Sequence, residues 1–208
     1  MNQATEIAKI LLDIKAVTLN LQKPYRYSSG LLSPIYCDNR LIISYPKKRK
    51  RVIDALLQLI EEKHLQFDVI AGTATAGIPH AAWIADRLNL PMVYVRDKAK
   101  IYGKQNQIEG NLEQGQKVLV VEDLISIGKS AIAASCALCQ FATVQDCIAI
   151  FSYQLSSTQQ NFANARLNYY TLSDFKTLIN VAVVEGYITE EERQKALAWN
   201  QNPENWDA

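Results

Sequence analysis

Residues 118–130 read VLVVEDLISIGKS: an apolar run, two adjacent acids, and then a short loop of hydroxyl and glycine residues. Four consecutive apolar residues predict a strand buried on both faces, and the loop after it predicts the start of a helix. Free backbone N–H groups and the positive dipole end at a helix start suit a phosphate. The acids would repel that phosphate, so we expect them to accept hydrogen bonds from sugar hydroxyls or to lie near a divalent metal. The segment therefore indicates a sugar phosphate site.

The same alternation of apolar runs and helices extends to both sides of this segment. Short apolar runs occur at residues 68–71, 91–95 and 144–151, and helical periodicity follows at residues 78–88 and 129–141. This pattern predicts an α/β fold, a Rossmann-like parallel sheet flanked by helices. In such sheets ligands bind at the carboxyl ends of the strands. We therefore expect the functional residues in the loops after Ala71, Val95 and Val121.

The chain is predicted to form a single domain over residues 1–208. Residues 1–45 would supply a first helix and a small N-terminal hood of short strands, and residues 46–170 the core sheet. Residues 171–208 are predicted to form C-terminal helices, at Leu172–Val184 and Glu190–Trp199. The sequence after Thr189 resembles a capping box.

The composition excludes several classes of protein. Lys and Arg total 22 and Asp and Glu total 21, so a net charge of +1 calls for no nucleic-acid partner, and the basic run at residues 47–51 is interpreted as a solvated helix face. No apolar run is long enough to predict a membrane span. Four cysteines and an N-terminus without a signal pattern favour the cytoplasm. Cys136 and Cys139 have zinc-like spacing but no second ligand pair, so we predict buried helix thiols.

Four segments together resemble the orotate branch of the type I phosphoribosyltransferases. Residues 118–130 are similar to the signature that binds 5-phosphoribosyl 1-pyrophosphate (PRPP). Residues 27–40 (YSSGLLSPIYCDNR) resemble the N-terminal substrate segment, residues 72–81 (GTATAGIPHA) the pyrophosphate loop, and residues 94–110 the mobile catalytic loop. The segments occur in the family's order and spacing. The resemblance implies the type I phosphoribosyltransferase fold and transfer of ribose 5-phosphate from PRPP to orotate in pyrimidine (UMP) biosynthesis.

The resemblance also implies a role for particular residues. Arg96, Lys98 and Lys100 would stabilise the departing pyrophosphate, while Ser126 and Tyr36 would contact orotate. The implied PRPP-binding residues are Thr73, Ala74, Arg96, Lys100, Tyr102, Glu122, Asp123, Leu124, Ile125, Ser126, Ile127, Gly128, Lys129 and Ser130. Within that set, the two acids would hold the ribose hydroxyls and residues 126–130 the 5-phosphate.

The implied cofactor is Mg²⁺, held mainly by PRPP rather than by protein side chains. A homodimer is implied too, because in the family the mobile loop, here residues 96–110, reaches the neighbouring subunit's site.

Several positions depart from the family pattern. Tyr102 replaces the usual His, Ile127 and Lys129 replace small residues, and Ser152-Tyr153 occupies the place of an orotate-binding Arg in the enteric branch. Two alternatives therefore stay open: a phosphoribosyltransferase for another nucleobase, and a PRPP-binding regulator without catalysis. Residues 25–40 argue against the first, and the retained loop argues against the second.

Overall fold

The computed structural model of the protein describes residues 2–27, 30–97 and 107–206. Its strands are β1 (Val17–Leu19), β2 (Tyr25–Arg26), β3 (Leu32–Ser33), β4 (Ile35–Cys37), β5 (Val69–Thr73), β6 (Met92–Val95), β7 (Ile108–Glu109), β8 (Lys117–Ile125), β9 (Thr143–Ser152) and β10 (Asn168–Asp174). Its α-helices are α1 (Gln3–Asp13), α2 (Pro46–Glu62), α3 (Gly77–Leu88), α4 (Lys129–Leu138), α5 (Ser156–Asn164), α6 (Phe175–Val184) and α7 (Glu190–Gln201). Two 3₁₀ helices occupy Asn39–Ser44 and Pro203–Asn205.

Six strands form the central sheet in the order β10-β9-β8-β5-β6-β7. Neighbouring strands are parallel except β7, which pairs antiparallel with β6 at the edge. The predicted parallel sheet is therefore confirmed. Because its parallel strands share one direction, the carboxyl ends of β5, β6 and β8 lie along the same edge.

Helices cover both faces of the sheet. In β8, Val118 and Val120 pack on the face covered by α4 and α5, whereas Leu119 and Val121 pack on the face covered by α1, α2, α3, α6 and α7. Alternate side chains of a strand point to opposite faces, so a strand buried on both sides must be apolar at every position. This is why β8 begins as a continuous apolar run.

The N-terminal hood consists of two small antiparallel pairs, β1 with β4 and β2 with β3. Hydrogen bonds fix it to the rest of the domain. The indole Nε1 of Trp199 in α7 donates to the Leu32 carbonyl at 2.9 Å, and the hydroxyls of Tyr27 and Tyr153 lie 3.2 Å apart. Short strands thus form an N-terminal hood, as predicted, and its position is tied to the C-terminal helix.

Four local predictions were wrong. Leu172 belongs to strand β10 and not to a helix, and helix α5 was not predicted. Residues 108–109 of the segment predicted as a loop form the edge strand β7. Cys136 and Cys139 are exposed, not buried, because Cys136 lies off the core face of α4 and Cys139 follows the helix as its C-cap residue.

The helix predictions around these errors held to within a few residues. Pro46 opens α2, the helix that carries the basic run at residues 47–51, and Thr189 forms the predicted capping box with Glu192 at the start of α7. Among the residues that the structure describes, no helix has the length and apolar character needed to cross a membrane.

Candidate functional site

The two adjacent acids lie on the last part of β8, which continues past Val121 to Ile125. They are thus held by the strand's hydrogen-bonded ladder and not by a loop after it. They open into a cavity of about 310 Å³ at the carboxyl edge of the sheet. The cavity is lined by Ala74, Thr75, Ala76, Glu122, Asp123, Leu124, Ile125, Ser126, Ile127, Gly128, Lys129, Ser130 and Ala131. The structure therefore brings the acid pair and the predicted phosphate loop together.

Burial sets the electrostatics of the acid pair. Glu122 is only 6% exposed, and the backbone N–H of Asp123 donates to its Oε1 at 3.0 Å. Burial raises the pKa of Glu122, and the neighbouring charge of Asp123 raises it further. Burial likewise raises the pKa of Asp123. Two poorly solvated carboxyls side by side gain stability from any ligand that brings hydroxyl donors or a cation.

The loop that follows the acids turns at Gly128, which precedes α4 with a φ of +82°. A Cβ at this position would also overlap the Phe162 ring, so glycine is required by conformation and by space. No side chain in the described chain caps the start of α4. The first N–H groups of this helix are therefore available to an anion in the cavity.

Helix α5 fixes the orientation of this loop from behind. The Thr158 hydroxyl donates to the Ser126 carbonyl at 2.5 Å, and the Asn161 side-chain amide donates to the Ile127 carbonyl at 2.9 Å. With both carbonyls engaged by α5, the polar groups that the loop offers to the cavity are N–H groups and hydroxyls. No sequence pattern points to Thr158 and Asn161, because each contact spans more than thirty residues.

The loop after β5 forms the opposite wall of the cavity. Its residues Ala74, Thr75 and Ala76 are small and line the cavity, and the Ala74–Thr75 peptide bond is cis. Thr73 is buried and donates its hydroxyl to the Val121 carbonyl at 3.3 Å, so its side chain ties β5 to β8. The backbone of this loop therefore faces the acid pair across the cavity.

A second cavity of about 370 Å³ adjoins the first. Ala74, Lys129 and Ser130 line both cavities, and Arg96 lines the second. Arg96 directly follows β6, and its Nη1 lies 3.4 Å from Oε1 of the Glu109 carboxylate. Two cations thus border this continuous space. The other predicted loop residues, Lys98, Lys100 and Tyr102, lie outside the described residues.

Tyr36 lines neither cavity. It lies on β4 of the hood with 43% of its surface exposed, and its ring centroid is 5.6 Å from that of Tyr25. The segment that follows is attached to the site, because the side-chain amide of Asn39 donates to the Asp123 carbonyl at 2.8 Å. Asn39 belongs to the segment 27–40, but the sequence assigned it no role, because its contact with Asp123 spans 84 residues. Across the described ranges there is no group of three or more His, Cys, Asp or Glu residues that could hold a metal ion.

Comparison with known proteins agrees with this geometry. Residues 44–139 match the phosphoribosyl transferase domain. The chain is 72% identical to the orotate phosphoribosyltransferase of Coxiella burnetii over 99% of each chain, and 51% identical to that of Enterococcus faecalis over 98% of this chain and 97% of the relative. The crystal structure of orotate phosphoribosyltransferase from Aeropyrum pernix superposes with a TM-score of 0.75 at 26% identity, covering 88% of this chain and 99% of that one.

Proposed function

The chain belongs to the orotate phosphoribosyltransferase family, and we propose that it transfers ribose 5-phosphate from PRPP to orotate, giving orotidine 5-monophosphate and pyrophosphate. The observation that carries the proposal is the cavity in which the buried acid pair of β8 faces the N-terminus of α4. The carboxylates can accept hydrogen bonds from sugar hydroxyls, and the loop can bind an anion. Together in one cavity they match the two ends of a phosphorylated ribose.

The residues have separate tasks in the proposed reaction. Glu122 and Asp123 accept hydrogen bonds from the ribose hydroxyls and orient the sugar. The backbone of residues 126–130 holds the 5-phosphate. The bond from ribose C1 to the pyrophosphate oxygen breaks as N1 of orotate bonds to C1, and the sugar passes through a cation-like state. The N1 proton of orotate is released to the departing pyrophosphate or to water. No protein nucleophile is required.

Cations beside the leaving group stabilise the departing pyrophosphate. Arg96 and Lys129 border the second cavity, and we propose that they act there with Lys98 and Lys100. Fixed positive charge is most favourable where negative charge develops in the transition state. Tyr102 would contribute a neutral hydrogen bond in place of the histidine that the family usually has.

The acid pair also suits the magnesium ion that the family implies. Mg²⁺ prefers oxygen ligands and is commonly held by one or two carboxylates together with substrate phosphates. Glu122 and Asp123 offer such oxygens at the cavity, and each carboxyl raised in pKa by burial would be stabilised by a neighbouring cation. When bound with PRPP, the metal would neutralise charge on the pyrophosphate.

We further propose a homodimer in which residues 96–110 of one subunit complete the site of the other, as the family resemblance implies. A cytoplasmic location is proposed as well. It is supported by the four cysteines, Cys37, Cys136, Cys139 and Cys147, all of which are free.

A steady-state assay tests the proposed reaction. Orotate absorbance should fall when the protein, PRPP and Mg²⁺ are combined, and no turnover should occur with uracil or hypoxanthine in place of orotate. Turnover with one of those bases instead would favour the alternative nucleobase. Tight PRPP binding without turnover of any base would favour the regulator.

A further inference from the structure

We propose that Arg40 binds the carboxylate of the pyrimidine substrate and makes the site selective for a carboxylated base. This inference rests on the proposed function, because it names the residue that recognises the anionic group of orotate. Arg40 is the last residue of the segment that resembles the family's substrate segment, residues 27–40, but the resemblance assigned it no role.

The side chain of Arg40 is held in a fixed orientation with one edge free. Its Nε donates to Asp38 Oδ1 at 2.6 Å and its Nη2 donates to Asp38 Oδ2 at 2.9 Å. A guanidinium has five N–H donors in a rigid fork, so the edge formed by Nη1 and the second Nη2 hydrogen can receive another carboxylate. The Arg40 side chain is 61% exposed, which leaves this edge accessible.

The backbone next to Arg40 is attached to the strand that carries the acid pair. The preceding residue, Asn39, is fully buried and its side-chain amide donates to the Asp123 carbonyl on β8. Hydrogen bonding to Asp38 raises the pKa of Arg40, with smaller contributions from Tyr36 and Asp123. Arg40 is therefore held close in the fold to β8, and its charge interacts with both the predicted base-contacting tyrosine and the acid that would hold the ribose.

The chemistry of the substrate requires a cation at this location. The carboxylate of orotate is attached to C6, next to the N1 atom that bonds to ribose C1. It must therefore come close to the ribose hydroxyls and to Glu122 and Asp123, whose negative charge would repel it. Arg96 and Lys129 border the second cavity, on the side proposed for pyrophosphate. Arg40, on the hood side, can offset the repulsion at the base.

The test compares two nucleotides that differ only in this carboxylate, orotidine 5-monophosphate and UMP. Arg40→Gln should weaken orotidine 5-monophosphate binding at least about tenfold while UMP keeps its wild-type affinity, because a charge-assisted hydrogen-bonded pair is lost. Arg40→Lys keeps the charge but loses the fork, and should give an intermediate loss. Isothermal titration calorimetry measures both affinities on the same preparation, so their ratio does not depend on the fraction of folded protein.

Arg51→Gln is the matched control. Arg51 forms an equivalent pair with Glu6, at 2.7 Å, and its side chain is 56% exposed, but the pair lies on α1 and α2. This variant should keep the wild-type ratio of the two affinities. If Arg40→Gln leaves the ratio of the orotidine 5-monophosphate and UMP affinities unchanged, the inference is overturned. In that case, turnover of orotate by the wild type would still support the proposed function. A wild type that binds neither nucleotide would overturn both.

Discussion

Glu122, the first residue of the acid pair on β8, shows how a single side chain can favour ligand binding at the expense of folding stability. Glu122 is almost completely buried, its pKa is raised, and the pair has no cation hydrogen-bonded to it in the described structure. Ionising this side chain in the folded protein is therefore less favourable than in the unfolded chain. A ligand that donates hydrogen bonds to the carboxylate recovers that free energy on binding.

Glu122→Gln should stabilise the ligand-free protein and weaken PRPP binding. A raised folded-state pKa means that the folded protein holds its proton above pH 4.5, where the unfolded chain releases it. The free energy of unfolding of the wild type should therefore fall relative to that of the variant as the pH rises above 4.5, by about 1 kcal/mol or more at pH 8. Urea unfolding between pH 5 and pH 9 measures the difference. A difference that does not change with pH would contradict the buried-carboxylate interpretation.

The residues of the site were predictable only where the local sequence carries them. Glu122, Asp123 and Gly128 lie within seven residues of one another after an apolar run, and all three line the same cavity in the structure. Asn39 and Asn161 reach the same site through contacts 84 and 34 residues distant in the chain. Such contacts arise from tertiary packing, so no local pattern reveals them.

Among the secondary-structure elements, the loop between β8 and α4 depends most on its neighbours. Thr158 and Asn161 of α5 hold two of its carbonyl groups, and Phe162 of the same helix lies where a Cβ of Gly128 would be. The phosphate loop and α5 therefore form one structural unit, although α5 lies some thirty residues further along the chain.

Gly128→Ala should be more destabilising than Gly115→Ala. Both glycines have positive φ values, +82° and +86°, so both alanines carry similar backbone strain of about 1–2 kcal/mol. Only the Cβ at Gly128 meets another group, the Phe162 ring, and this overlap should add about 1–3 kcal/mol. Equilibrium urea unfolding of both variants gives the comparison. Equal losses of unfolding free energy would show that the Phe162 ring moves aside at little cost, and that steric contact with this ring does not hold the loop.

The elements that were predicted correctly are those with a strong hydrophobic pattern. Strands β5, β6, β8 and β9 are short apolar runs because the sheet is buried on both faces. Strand β10 lies at the edge, and Leu172 and Ser173 are its only buried residues. The sequence of β10 therefore resembles the beginning of the apolar helix α6 that follows it. Helix α5 buries only Thr158 and Phe162, too few positions to create a helical period.

At the scale of the whole molecule, the proposed homodimer can be tested through the site that its two copies would share. The proposed homodimer predicts that Lys100 of one subunit acts in the other subunit's site, whereas Asp123 acts in its own. A Lys100→Gln chain and an Asp123→Asn chain, each with low activity, should therefore complement each other in a hybrid dimer, which would keep one intact site of two.

Co-expression of the two chains with different affinity tags isolates this hybrid. Its activity should be about half that of a tagged wild-type dimer, since one of two sites is complete. The two single-variant proteins purified separately provide the baseline. A hybrid no more active than either parent would show that the loop acts within its own subunit.

The most direct test of the site as a whole is a crystal structure of the protein with PRPP and Mg²⁺. The ribose hydroxyls should lie within hydrogen-bonding distance of the Glu122 and Asp123 carboxylates, and the 5-phosphate should contact the backbone N–H groups of residues 126–130. Electron density for PRPP away from the carboxyl edge of β8, with this cavity left to solvent, would contradict the proposed sugar phosphate site.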